Sequence, residues 1–117
     1  MARPSGMEEF DCLVVYVPTS DADALRSALA AAGAGRLGNY AACSFSVEGM
    51  GRFTPLDGAR PAIGTIGEPE QVAETRIEVI YPRGQRNRIV GALIAAHPYE
   101  TPAFMTFPVD ISLPPEA

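Results

Sequence analysis

The spacing of apolar and polar positions changes several times along this chain, and each change marks an element. Residues 10–17 (FDCLVVYV) are apolar almost without interruption, rich in valine, and closed by Pro18. A run of that kind predicts a central strand buried on both faces. Residues 20–32 then take up helical spacing. Leu25, Ala28, Leu29 and Ala32 fall at i, i+3, i+4 and i+7, one narrow alanine-rich stripe that should lie close on a sheet. Ser20 is the expected N-cap, with Asp21 and Asp23 in the first turn, and Gly33 is the expected C-terminal stop. Period-two alternation returns at 39–47, where Cys43, Phe45 and Val47 oppose Ser44 and Ser46. That pattern predicts a strand with the Cys43 thiol turned into the core.

Glu48-Gly49-Met50-Gly51 reads as a turn, and residues 52–55 as a short hairpin arm pairing back. Residues 56–70 carry glycines and prolines without period, a long loop whose Ile63 and Ile66 should dock rather than face water. Residues 71–81 (QVAETRIEVIY) alternate again, with Ile77, Val79 and Tyr81 on one face and Arg76, Glu78 and Ile80 on the other. After Pro82-Arg83-Gly84 a second helix is predicted over 85–96, with Ile89, Leu93 and Ala96 in one row. Residues 102–109 (PAFMTFPV) form a last strand, which its two prolines confine to a sheet edge or an intersubunit contact. The order β-α-β-β-α-β predicts an α+β, ferredoxin-like (split βαβ) two-layer sandwich with strand order 4-1-3-2. An extra β-hairpin or long loop would sit between strands 2 and 3. The domain would span 10–110, with 1–9 a flexible leader and 111–117 a tail. Both faces of the first strand are apolar, which implies a further layer or self-association, most simply a symmetric homo-oligomer.

Chemistry concentrates in 97–102 (HPYETP), which holds the chain's one histidine. A residue before proline is pushed out of the α region, so His97 should close the second helix. An imidazole, a phenol, a carboxylate and a hydroxyl then follow within a short stiff segment. The plain reading is a rigid helix-to-strand connection whose polar groups bond nearby backbone, with His97 capping helix-end carbonyls, where its protonated form is also favoured. For Glu100 the matching plain reading is an ion pair with a neighbouring arginine at a subunit edge. The functional reading makes His97 and Glu100 ligand or metal contacts.

Residues 33–38 (GAGRLG) match the letters of a dinucleotide fingerprint, but they follow a helix and lead into a strand. The motif needs the reverse, so a flexible connection is expected instead. A net charge of −5 argues against a nucleic-acid partner. Arg83, Arg86 and Arg88 read as a solvated helix end able to receive a phosphate or carboxylate. The two cysteines, Cys12 and Cys43, suit reduced thiols in a cytoplasmic protein, and no apolar run is long enough for a signal peptide or a membrane span. Cys43 as nucleophile with His97 as base is the enzyme alternative, weakened by the inward placement expected for the thiol.

The segments VVYVPTSDADALRSALAAAGAGRLGNYAACSFSVEGMGRFTPLDGARPAIG, ETRIEVIYP and AAHPYETPAF together resemble the inserted domain of the Nif-three-like family (YqfO type, GTP cyclohydrolase 1 type 2 homologues). The likeness runs from about Leu13 to Val109. HPYETP and the element order also resemble the CutA family, trimers of the broader PII-like group. The first resemblance implies a stand-alone copy of an accessory domain without the family's dimetal core, because one histidine cannot supply two-metal ligation. Its motifs bring Asn39, Tyr40 and Ser44 into the candidate ligand-binding set beside His97, Tyr99 and Glu100. The second implies a trimer and a divalent metal, copper or zinc, at His97 and Glu100, with Cys43 or Cys12 as a candidate further ligand. The function expected is a non-catalytic binding or regulatory module, taking a small molecule or a partner protein, with no nucleic acid and no membrane.

Overall fold

The computed structural model describes residues 9–112, so the expected leader and tail fall almost wholly outside the described residues. Four strands and two helices alternate as expected: β1 (Phe10–Pro18), α1 (Ala22–Ala31), β2 (Phe45–Phe53), β3 (Glu70–Pro82), α2 (Arg86–Ala96) and β4 (Ala103–Val109). The sheet is antiparallel throughout, in the order β2-β3-β1-β4. This is the ferredoxin-like sandwich with the strand order read from the sequence.

β1 is near-continuously apolar because it lies between β3 and β4 with the helices over one face. Leu13, Val15 and Val17 meet Ile77, Val79 and Tyr81 from β3, Leu25 and Leu29 from α1, and Ile89 and Leu93 from α2. All but Val79 are completely buried. Burying each such side chain contributes about 1.5–3 kcal/mol. The helices deliver their apolar rows where the spacing placed them. At the end of α1, Gly33 takes φ +106°, the Gly33 amide donates to the Ala30 carbonyl, and Ala34 to Leu29. That pair of bonds is the Schellman stop.

Among the described residues no layer covers the other face of the sheet. Phe45 is 65% exposed, Val47 50%, Met105 48% and Phe107 42%, all on that face around Val14, Tyr16 and Cys12. An Arg76–Glu78 ion pair of 3.2 Å lies among them.

Several local expectations are corrected. The second strand begins at Phe45 and not at Asn39, because the chain breaks at Ala42, whose φ is +58°. Cys43 therefore lies in an irregular segment, its amide bonded to the Gly35 carbonyl, and it is not mid-strand facing the core. The expected turn at 48–51 is straight strand: Gly49 pairs with Glu74 and Gly51 with Val72. A glycine here makes room for a neighbour, since a Cβ on Gly51 would overlap the Glu74 carboxylate. Arg52 and Phe53 end β2, so 54–69 is a long loop without an added hairpin. Ser20 is no cap. A 3-10 turn (Thr19–Asp21) leads into α1, and neither it nor α1 has a side-chain cap. Ile63 is half-buried, but Ile66 stays 40% exposed. Arg83 is no solvated helix end: it is bound to the Asp11 and Glu9 carboxylates, at 2.7 and 2.5 Å, while Arg86 and Arg88 remain exposed.

Candidate functional site

β1 stops at Pro18, opposite Glu74, yet β3 begins four residues earlier at Glu70 and pairs there with β2 alone. The β2–β3 pair therefore projects past the three-strand body. The 97–102 connection crosses the end of β1 beside this projection, and the loop 54–69 folds back over it. Between them lies a cleft of about 520 Å³, a volume ordinary for a small-molecule site.

Each wall has a local cause. Because Pro98 follows, His97 leaves the helix at φ −80°, ψ 135° after its amide has bonded the Leu93 carbonyl at 2.9 Å. The buried His97 ring then joins two backbone groups. Tyr99 N–H donates to Nδ1 at 3.1 Å, which fixes the proton on Nε2, and Nε2–H donates to the Tyr16 carbonyl at 2.7 Å. The imidazole is thus neutral and fully used. It bonds β1 rather than the helix-end carbonyls, and the protonated cap expected from the sequence does not form.

Pinned this way, Tyr99 meets Phe53 edge-on, with ring centres 5.8 Å apart, and His97 at 5.2 Å. Its hydroxyl oxygen is buried with no hydrogen-bond partner of good geometry. Burial, and after it the neighbouring Glu74 carboxylate, push the phenol up to about 12. Glu100 Oε1 accepts the backbone N–H of Arg60 at 2.7 Å and so fastens the loop to the connection. Within the single chain the Arg60 contact is made through its backbone amide and not through its guanidinium.

Of the candidate residues, Tyr99 and Glu100 line the cleft, and His97 stands behind it as the strut that holds Tyr99. Ser44 lines a separate pocket of about 180 Å³ with Arg26 and Cys43, beneath α1. Asn39 and Tyr40 are exposed on a tight turn closed by Leu37 and Tyr40 and lie outside both walls. Cys43 and His97 are in different neighbourhoods and do not form a nucleophile–base pair. Tyr16, Phe53 and Glu74, which the sequence did not single out, complete the cleft. Phe53 was hidden by the misread hairpin arm, and Glu74 by looking like any outward residue of an alternating strand.

A metal fits these residues poorly. Among the described residues no group of three His, Cys, Asp or Glu side chains gathers around a common point, and ligation by His97 would break one of its two backbone bonds.

The fold is a CutA-like ferredoxin sandwich. The CutA periplasmic divalent cation tolerance protein of Archaeoglobus fulgidus superposes with a TM-score of 0.63 over 89% of this chain and 87% of its own, at 16% identity. At that identity the likeness is one of fold. Sequence leads elsewhere. The chain is 49% identical over 102 residues, 87% of its length, to the GTP cyclohydrolase 1 type 2 homologue of Mycobacterium tuberculosis. The crystal structure of a Bacillus cereus protein related to NIF3 matches 93% of the chain at 41% identity, with a TM-score of 0.79. The chain is a homologue of one segment of each of these two proteins, spanning 27% and 28% of their lengths. No protein-family model matches the chain.

Proposed function

We propose that this domain is a non-catalytic binding module: the end-of-sheet cleft receives a small molecule, and the uncovered sheet face joins copies into a symmetric oligomer. The observation that carries the reading is the cleft itself. It is formed by packing already present in the single chain and walled mainly by apolar and aromatic side chains, with a few polar groups converging on it. Among the described residues no cysteine, serine or histidine lines it. The segment relationship supports the same reading, because the chain corresponds to about a quarter of its relatives and their named activity belongs to the whole proteins.

The exposed Phe45, Val47, Met105 and Phe107 supply the second half of the proposal. A face with that much apolar surface is covered in a stable assembly, and copies of one chain cover it with closed symmetry. A trimer is the assembly that the CutA likeness favours. Native mass spectrometry of the purified protein tests both halves at once. A closed oligomer carrying a reproducible added mass is expected, and a bare monomer at every concentration would overturn the proposal. Equilibrium dialysis against copper and zinc tests the divalent-metal alternative, for which His97→Ala should abolish uptake.

A further inference from the structure

We propose that the occupant of the cleft is an organic ammonium, a protonated amine carried on an apolar or aromatic body. The inference rests on the small-molecule reading above and names its ligand class.

Three observations converge on it. The first is the make-up of the walls: the rings of Tyr16, Phe53 and Tyr99 stand around the same space, and aromatic faces attract cations through their quadrupole. The second is the state of the acids. Glu74 is half-buried and makes no ion pair among the described residues, and its carboxylate is laid toward Tyr99 over the bare Cα of Gly51. Glu100 spends one oxygen on the Arg60 amide, and among the described residues its second oxygen carries no bond. The one basic side chain on the wall, Arg52, has its Nε tied to Gln71 at 3.3 Å. The third is the buried Tyr99 hydroxyl, which lies within reach of the Glu74 carboxylate without a hydrogen bond of good geometry and keeps that acid beside the aromatic wall. The charges that act on this phenol, Glu74, Asp21 and Glu70, are all negative.

These features select among ligands. An anion would face two carboxylates against the single guanidinium of Arg52. A neutral apolar molecule would fill the cleft but leave Glu74 half-buried beside an uncharged surface, at a desolvation cost. A divalent ion would need more oxygen or nitrogen ligands than converge there. An ammonium places its charge between Glu74 and the rings and lays its carbon body against Pro55, Leu56 and Ile63.

The test is an amide-resolved NMR titration of the 15N-labelled chain with three probes of one shape: phenethylamine, 2-phenylethanol and phenylacetate. The amine should shift amides at Glu74, Tyr99 and Ala103, binding at least about fivefold more tightly than the alcohol. Phenylacetate should leave these amides in place. Glu74→Gln should erase the advantage of the amine over the alcohol, and Gly51→Ala, which dislodges the same carboxylate, should reduce it. The spectrum of each variant reports whether it is folded. Equal binding of amine and alcohol, tighter binding of the acid, or a preference surviving Glu74→Gln would overturn the ammonium inference while leaving a small-molecule cleft. No shift at these amides with any probe would overturn both readings.

Discussion

His97 and Tyr99 act as one unit, with the ring of the first holding the backbone of the second. His97→Ala would strand the Tyr16 carbonyl and the Tyr99 amide and should lower stability by about 2 kcal/mol or more in urea denaturation. In the parent protein, imidazole 15N shifts should report the Nε2–H tautomer. The phenol of Tyr99 gives a second readout. With its folded value at about 12 and an unfolded value of about 10, its contribution to stability is fully present below pH 10. It is lost as pH rises through 12. Absorbance at 295 nm should show late-ionising tyrosine from both Tyr99 and the buried Tyr81, and Tyr99→Phe should remove the Tyr99 share of it. Glu74→Gln should bring that value down without restoring the ordinary one, because burial is the larger cause.

Two glycines show how differently one residue type can serve an element. Gly91 is exposed within α2, and a Cβ there would touch nothing, so Gly91→Ala should stabilise by about 0.5–1 kcal/mol. Gly35 has φ +88°, and a Cβ would run into the backbone of Cys43, so Gly35→Ala should cost about 2 kcal/mol or more. Thermal or urea unfolding of the two variants should move the midpoint in opposite directions. The same contrast explains what the sequence disclosed. Strands and helices announced by long periodic runs, such as 10–17 and 85–96, lie where their spacing put them. β2 was displaced because its glycines spell a turn locally, while pairing with β3 and the needs of the Glu74 side chain hold them straight. Half of the cleft was legible in HPYETP, whose prolines dictate a local shape. Its other half depends on contacts between residues far apart in the chain, such as Tyr99 with Phe53, and no local pattern encodes those.

Seen as a whole, the molecule is finished on one side only. The helices close one face of the sheet, and the opposite face offers aromatic and aliphatic side chains to a partner. The cleft lies at the end of this open face and shares Tyr16, Glu74 and Ala103 with a groove running along it, so assembly and ligand uptake would bear on neighbouring atoms. The bond from the Arg60 amide to Glu100 joins residues forty positions apart and closes the loop onto the body. It has a kinetic meaning as well. Ring closures of that span are gained late and released early, because their entropy is recovered without disturbing the packed strands. Hydrogen–deuterium exchange should therefore find the amides of Arg60 and Gly67 opening at a lower free energy than those of Leu13 and Val15 in β1. The site would then be a separately melting province of the domain, which an occupant could freeze without altering the stability of the core.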